Sequence, residues 1–166
     1  NYGEAGDVNT LTLMRKEATL QGLTGVKVWD CSASCYSDNF LEQGGQDVEG
    51  TYVGSPFLPF SSKAEQNANP LLKNFVKYTG KDDVDGYGVY AWAGMIAFRD
   101  AVNNAVKNNG VNGVTRATIF AALNKMHAFD ADGMFGTLDL AGRKTSPSFV
   151  LMSVTDGEFQ RVHPTK

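Results

Sequence analysis

The chain has 166 residues, of which 42% are hydrophobic and 20% are charged, and its formal net charge is -3. This composition supplies enough apolar material for one sizeable core or for parts of two. The 15 lysines and arginines are scattered, and phosphate binding requires concentrated positive charge, so the sequence argues against a nucleic-acid partner. The longest apolar stretch, residues 89–98, is too short to span a bilayer.

The first segment of the chain predicts a helix. Asp7 or Asn9 can cap it, because a short side-chain oxygen satisfies the unpaired amides of the first turn, and Gly22 is a natural end. The apolar stripe of this helix comprises Val8, Leu11, Met14 and Ala18.

The next segments alternate strand and helix. Residues 26–29 and 48–53 are β-prone runs, and between them Ser37 can cap a brief helix that ends at Gly44. The order of helix, strand, helix and strand is typical of a parallel α/β layer.

The middle of the chain predicts a connection followed by helices. Residues 54–70 contain three prolines and show no periodicity, which indicates a hinge segment, and Pro70 suits the first position of a new helix. Residues 86–107 predict the longest helix, whose first half is apolar on all sides and is therefore expected to be deeply buried. Its second half has an expected inward face of Met95, Phe98, Val102 and Ala105.

The last third predicts one more helix and a hairpin. Thr115 can cap the helix, and residues 134–140, 149–154 and 159–162 are β-prone. The dipeptide at 156–157, Asp-Gly, predicts a tight turn between the last two strands. The inward positions expected for the helix are Ile119, Phe120, Leu123 and Met126.

Cys31 and Cys35 are the two cysteines of the chain, and their spacing leaves several roles open. A redox motif has two residues between its cysteines, whereas this pair has three. A structural zinc needs about four nitrogen or sulfur ligands, and His127 and His163 lie far away in the sequence. Two buried thiols remain one interpretation, and a local disulfide is favoured if the protein is exported.

Other motifs for chemistry are incomplete. The acidic runs at 82–85 and 130–132 lack the full calcium-loop spacing, so we interpret them as polar turns and helix caps. No nucleophile elbow, phosphate-binding loop or dinucleotide motif is present, so we expect no enzyme, no metal and no cofactor. Tyr87, Tyr90 and Trp92 lie at a helix start, where amides can receive an anion beside an aromatic wall, although most aromatic stripes are simply core.

The ordered series of segments resembles the extracellular solute-binding proteins of ABC importers, of the branched-chain amino acid (Leu/Ile/Val-binding) type. The similarity runs over essentially the whole chain. It is carried by segment order and by EGTYV at a strand, YAWAGMIAFRDAV as a buried helix, TR at a helix start, GMFGTLDLAGR, and DGEFQRV as the closing hairpin.

The resemblance implies an α/β fold built from parts of the two Rossmann-like lobes of a type I periplasmic binding protein, in three α/β/α layers. Residues 1–54 correspond to the later part of lobe two, 55–135 to the second portion of lobe one, and 136–166 to the return to lobe two with its hairpin. The long first part of the family has no counterpart. Because the chain also begins with Asn1, we expect it to be an excerpt, a cleavage product or one chain of a complemented pair.

The resemblance also implies where a ligand would bind. The loop after residues 26–29 places Asp30 and Ser32 at the interlobe cleft, where Asp30 could pair with a ligand amine or serve only as a cap. The loop of residues 2–7, which ends at Asp7, is the other contribution of lobe two, and Tyr87 and Tyr90 are the contribution of lobe one. Since the family is exported, the cysteines at 31 and 35 are expected to form a local disulfide that braces this loop.

The implied function is non-enzymatic capture of a small solute, such as an amino acid or a small carboxylate. The implied partners are a membrane permease of an ABC importer and the missing N-terminal half, as the same or a separate chain. The implied location is extracytoplasmic, in the periplasm or at the cell surface, with a lipid anchor as one option. The alternatives are a ligand-sensing receptor domain of the same fold and an α/β enzyme without a recognisable motif.

Overall fold

The computed structural model describes residues 2–80, 85–145 and 149–164. One mixed sheet contains strands from both the beginning and the end of the chain. The spatial order of its strands is the chain order. The first three strands are parallel, and the last two form an antiparallel hairpin that pairs with the third. The strands are β1 Tyr2–Ala5, β2 Val28–Cys31, β3 Tyr52–Ser55, β4 Val150–Thr155 and β5 Glu158–His163.

The helices form two groups. The first group connects the parallel strands and consists of α1 Val8–Leu20 and α2 Asp38–Gly44. The second group lies between β3 and β4 and consists of α3 Lys63–Ala68, α4 Pro70–Thr79, α5 Gly86–Asn109 and α6 Arg116–Leu123. The predicted α/β class is therefore confirmed.

Local capping chemistry determines where most helices begin, and here the predictions are confirmed. Asp7 accepts a hydrogen bond from the amide of Thr10 at 2.9 Å and caps α1. Ser37 caps α2, Pro70 is the first residue of α4, and Thr115 caps α6 in a reciprocal bond with Thr118. Each cap satisfies amides that the first helical turn leaves without intrahelical partners.

Strand positions were predicted less well. Residues 2–5 were expected to be a loop, but they form β1, in which a Cβ on Gly3 would overlap the ring of Trp29 on β2. The predicted strand at 26–29 begins two residues later, at Val28. The run at 48–53 is divided between a 3-10 turn, Gly45–Val48, and β3. Pairing with neighbours decides the bounds of these short strands, since β-propensity depends strongly on context.

The third β-prone run, residues 134–140, forms isolated bridges and no named strand among the described residues. One bridge pairs Phe57 with Phe135 and another pairs Phe129 with Leu138. The first of these joins the segment that leaves β3 to the segment that returns toward β4. Of the following run at 149–154, Val150–Thr155 is strand, and its hairpin with β5 confirms the predicted turn.

The inward face predicted for α5 is partly wrong. Met95 and Phe98 are 65% and 47% exposed, and Ala105 is buried as predicted. The first half of the helix is likewise not buried on all sides, because Tyr87 is 72% exposed. The face that packs on the described chain consists of smaller residues: Val89, Ala93, Ile96, Ala97 and Ala101.

The same error affects two other helices. Met14 of α1 is exposed, and Thr12 is buried in its place. Phe120 of α6 is 58% exposed, whereas Ile119, Leu123 and Met126 are half-buried. Apolar periodicity identified a helix in each case and most of its inward face, since Leu11 and Ala18 are buried as predicted, but it placed one exposed residue on each face.

Tyr36 connects the loop after β2 to the segment after β3 and to β5. Its ring packs edge-on against Phe60 and Phe159 at centroid distances of 4.6 and 4.7 Å. Its hydroxyl lies 2.6 Å from the Ser61 hydroxyl and accepts the Ser61 amide at 2.9 Å. Burial raises the pKa of Tyr36 to about 12, so the phenol remains protonated at neutral pH.

A buried ion pair ties β5 to α3. The guanidinium Nη1 of Arg161 donates to Oε1 of Glu65 at 2.9 Å, and the two side chains are 19% and 5% exposed. Because the carboxylate is almost fully removed from water, its charge depends on its partners inside the protein.

We expect Arg161→Met to lower the free energy of unfolding by about 3 kcal/mol, because it leaves the Glu65 carboxylate buried without its guanidinium. Urea denaturation of the two proteins at neutral pH measures this difference. The double variant Arg161→Met/Glu65→Met should recover part of the loss, since the buried carboxylate is removed together with the guanidinium.

The matched control is Arg99→Met. Arg99 pairs with Asp100 and Asp132, but all three side chains are at least 35% exposed. Exposed pairs contribute little, so a loss below about 1 kcal/mol is expected. Equal losses for the two arginine variants would contradict the assigned role of burial.

We expect stability to fall at alkaline pH because of Tyr36. Above pH 10 the unfolded state releases the phenol proton, whereas the folded state retains it up to its pKa of about 12. This difference costs on the order of 2 kcal/mol as pH rises through that window. Urea denaturation at pH 8, 10 and 11 should show a steeper loss for the parent than for Tyr36→Phe. Parallel pH dependences would contradict the prediction.

Candidate functional site

A pocket of about 250 Å³ opens where the carboxyl ends of β1 and β2 meet the start of α5. Crevices at the carboxyl ends of parallel strands are common ligand sites in α/β proteins. The sheet contributes the loops after two adjacent strands, and the helical segment contributes the first two turns of α5. The lining residues are Gly6, Ser32, Ala33, Ser34, Gly86, Tyr87 and Tyr90.

Two serine hydroxyls form the polar edge of this pocket. The oxygens of Ser32 and Ser34 lie 2.9 Å apart, and they lie 3.1 and 2.7 Å from the carbonyl oxygen of Gly6. Each hydroxyl carries one proton. If Ser34 donates its proton across the shorter distance to Gly6, the hydroxyl of Ser32 can turn its proton toward a ligand.

A disulfide encloses the serine loop. Cys31 and Cys35 are bonded and both buried, and Cys35 is the last residue of a 3-10 turn, Ala33–Cys35. Ser32 caps this turn. The expected disulfide is therefore present. The loop is held at both ends, and its two hydroxyls keep a fixed relation to the end of β1.

The start of α5 approaches this loop closely because residue 86 is glycine. A Cβ at Gly86 would lie 3.2 Å from the carbonyl oxygen of Ala33 and 3.1 Å from the ring of Phe57. The carboxylate of Asp85 accepts the amide of Gly88 at 2.7 Å. The amides of the first helical turn have no intrahelical partner, so those of Gly86 and Tyr87 can donate to a ligand oxygen, although the Asp85 charge offsets part of the helix-end potential.

The tyrosines form the aromatic side of the pocket. Tyr90 packs against Phe57 and Phe135, each at a centroid distance of 5.7 Å. It is thereby held by both connecting segments, the one that leaves β3 and the one that returns toward β4. Burial raises its pKa, and the neighbouring Tyr87 adds to this effect. Tyr87 is 72% exposed and lies at the mouth.

The structure brings together three of the predicted ligand-binding residues, Ser32, Tyr87 and Tyr90. Asp7 lies next to Gly6 but caps α1, and the hydrogen bonds from Thr10 lower its pKa. The Asp30 carboxyl group also lies off the pocket lining. Its Oδ1 is buried without a hydrogen-bond partner in the part of the chain that the structure describes.

Sequence reasoning missed Gly6 and Ser34 as pocket residues, and it considered Gly86 only for the free amides of the helix start. A signal for Ser34 was available, because it follows a predicted strand in the same loop as Ser32, whereas Gly6 follows β1, which was not predicted. The signal for Gly86 is weaker, since a glycine at a helix start is common and only the approach to Ala33 gives it a role.

Among the described residues, the histidines and acidic side chains considered for metal binding do not form a metal site. Within residues 2–80, 85–145 and 149–164, no group of three or more histidine, cysteine, aspartate or glutamate side chains could hold a metal ion. Asp132 instead accepts a hydrogen bond from Arg99, and most of the acidic run at 82–85 lies outside the described residues. None of the described helices has the length and apolar character needed to cross a membrane.

Comparison with known proteins gives one family match and several structural matches. The sequence model of the periplasmic binding proteins matches residues 4–158. No curated protein sequence matches the chain. The structural matches below are under 25% identical, so they show the fold alone.

A leucine-binding protein from Thermotoga maritima has a TM-score of 0.64 at 22% identity, over 97% of this chain and 43% of that one. A fatty acid ABC transporter substrate-binding protein from Thermomonospora curvata has a TM-score of 0.72 at 20% identity, over 97% and 41%. A branched-chain amino acid ABC transporter protein from Thermus thermophilus, with bound valine, has a TM-score of 0.71 at 14% identity, over 98% and 44%.

The chain thus spans less than half the length of each of these relatives. Its mixed α/β fold matches part of the type I structures, which confirms the resemblance found in the sequence. Because the family model extends over nearly all of its residues, the chain belongs to the periplasmic binding proteins, a family of non-enzymatic solute-binding proteins.

Proposed function

We propose that this chain is part of the solute-binding component of an ABC importer, and that its pocket holds one side of a small solute. The observation that carries the proposal is the composition of the pocket. Loops from the sheet and the start of a helix from the intervening segment meet there, so one ligand would contact both.

The proposed lobe division follows the sequence expectation. Residues 1–54 and 136–166 would belong to lobe two, and 55–135 to lobe one. The isolated bridge between Phe57 and Phe135 supports a connection of two adjacent crossing segments. A ligand that contacts both lobes only when they are close would shift the population toward the closed form.

The chemistry of the pocket favours a ligand with a carboxylate and an apolar part. The Ser32 hydroxyl and the amides of Gly86 and Tyr87 are donors, whereas the ring of Tyr90 supplies an apolar wall. The relatives described above are named for leucine and fatty acid or contain valine. Leucine, valine and fatty acids each combine a carboxylate with a hydrocarbon chain.

The proposed partners are a membrane permease, which would receive the solute, and the remainder of the family fold. We place the protein outside the cytoplasm, in the periplasm or at the cell surface. The disulfide between Cys31 and Cys35 supports this location, since disulfides persist in oxidising compartments.

We expect leucine, valine or octanoate to raise the melting temperature of the protein expressed from its complete gene, because a ligand that prefers the native state stabilises it. Calorimetric titration gives the affinity. Leucinamide, which lacks the carboxylate, should bind at least about tenfold more weakly, as expected for the loss of a charge-assisted hydrogen bond.

Two substitutions in the pocket and one control outside it test whether the solute binds in this pocket. Ser32→Ala and Tyr90→Ala should each weaken the affinity about fivefold to tenfold, in line with the loss of one hydrogen bond or one packed ring. Tyr78→Ala is the matched control, because Tyr78 is 72% exposed and does not line the pocket. No stabilisation by any carboxylate, or an equal effect of Tyr78→Ala, would refute the proposed site.

We expect Cys31→Ala/Cys35→Ala to loosen the serine loop. Loss of a cross-link over so short a loop should cost about 2 kcal/mol of unfolding free energy. The amides of residues 32–35 should exchange with deuterium faster, and ligand affinity should fall, because the hydroxyls are no longer held beside Gly6. Unchanged exchange in this loop would show that the disulfide does not position the serines.

A further inference from the structure

Two copies of the tripeptide Asn-Gly-Val follow each other in the chain, at residues 109–111 and 112–114. They contain the two Asn-Gly pairs of the sequence. An asparagine that precedes glycine can undergo deamidation, because glycine has no Cβ to hinder its own amide nitrogen. Since the two residues that follow each asparagine are identical, a difference in reactivity between the two sites would come mainly from the fold.

The reaction needs only water. The amide nitrogen of the glycine attacks Cγ of the asparagine side chain, so that a bond from this nitrogen to Cγ forms and the bond from Cγ to Nδ2 breaks. Ammonia leaves with Nδ2 and the glycine amide proton. Water then opens the resulting succinimide at one of its two carbonyl carbons. The product is aspartate or isoaspartate, and in isoaspartate the main chain runs through Cβ and Cγ and is longer by one methylene.

The fold protects Asn109. This residue is the last of α5, and its Nδ2 donates to the carbonyl oxygen of Ala105 at 3.1 Å. The amide of Gly110, which would be the nucleophile, donates to the carbonyl oxygen of Val106 at 2.9 Å. Gly113 packs against the same side chain, since a Cβ there would lie 2.5 Å from the Cβ of Asn109. Both reacting groups of the first pair are therefore bonded to carbonyls of α5.

The fold leaves Asn112 more accessible. Asn112 is exposed and lies in the middle of a three-residue 3-10 turn, Val111–Gly113. Its side chain has no hydrogen-bond partner in the part of the chain that the structure describes. The amide of Gly113 donates to the carbonyl oxygen of Gly110 at 3.1 Å. A 3-10 turn this short has poorer hydrogen-bond geometry than an α-helix and opens at low cost, which releases the nucleophile.

We propose that Asn112 is a site of spontaneous deamidation in the native protein, and that the end of α5 protects Asn109 from the same reaction. The two turns alone carry this inference. It is independent of the proposed solute site, and a failure of solute binding leaves it unaffected.

Isoaspartate at position 112 would disturb the start of α6. The carbonyl oxygen of Gly113 accepts a hydrogen bond from Oγ1 of Thr118 at 2.9 Å, and Thr118 forms the reciprocal cap with Thr115. A longer main chain at position 112 displaces the Gly113 carbonyl from this cap. The reaction also adds one negative charge to a chain whose net charge is already -3.

Peptide mapping tests the proposal. The protein expressed from its complete gene is kept in mildly alkaline buffer, and samples taken over time are digested with trypsin, which releases residues 108–116 as one peptide. Fragmentation of this peptide assigns each new acid to position 109 or 112, and an isoaspartyl methyltransferase identifies isoaspartate. We expect Asn112 to be converted at least about fivefold faster than Asn109 in the native protein, because the turn opens more readily than the helix end.

The same protein unfolded in guanidinium chloride is the control. We expect the two rates to agree there within about twofold, because both asparagines precede Gly-Val and no fold distinguishes them. Asn112→Gln should remove most of the acid that forms in the native peptide. Equal native rates, faster native conversion of Asn109, or the same ratio of rates in guanidinium chloride would overturn the proposal. So would an unmodified Asn112 in the native protein after the unfolded protein is converted.

Hydrogen exchange separates the change of the main chain from the change of charge. Asn112→Asp has the charge of the product without the extra methylene. We expect the amides of residues 113–118 to exchange faster in the isoaspartate form than in Asn112→Asp. Equal exchange in the two forms would contradict the expected effect on the start of α6.

Discussion

The register between β1 and β2 determines where the functional chemistry of this chain lies. Ala5 pairs with Cys31 at the last position of each strand, so β1 and β2 end side by side at the same edge of the sheet. Gly6 and Ser32 therefore meet, and the hydroxyls of the serine loop can bond to the Gly6 carbonyl. A slip of one residue would turn the side chains of β2 to the opposite face and separate these groups.

The disulfide and Tyr36 extend this constraint across the molecule. Cys35 ends the turn that contains Ser34, and the next residue, Tyr36, packs between Phe60 and Phe159. Its hydroxyl also bonds to Ser61. The loop at the pocket is thus continuous with the aromatic core near the connecting segments. Under the proposed function, a movement of those segments would be transmitted to the serine loop through packed side chains.

Sequence alone predicts the features that depend on local chemistry. Asp7, Ser37 and Thr115 cap helices because a short side chain reaches an amide two or three residues away. The strand β1 was missed because Gly3 has no β preference, and only the ring of Trp29 above it explains the residue. Such pairing is nonlocal, and a single sequence does not contain it.

The candidate site shows the same division. Ser32, Tyr87 and Tyr90 were found because the family resemblance placed their loops at a cleft, and the structure gathers them in one pocket. Ser34 and the close approach that Gly86 permits were missed because they depend on distances to Gly6 and Ala33, which arise only in the folded chain. Whether Asp30 or Asp7 touches a ligand stays a prediction.

The partly wrong prediction of the inward face of α5 has a physical explanation. An apolar pattern records every neighbour a helix has in its complete fold, whereas exposure in the described chain records only the neighbours present. Met95 and Phe98 were expected to be inward, and they are exposed beside a second face that is buried. The pattern and the exposure are compatible if α5 lies between two layers, one of which these residues do not supply. Under that condition, the helix whose first turn contributes Tyr87 and Tyr90 to the pocket would be held in place from both sides.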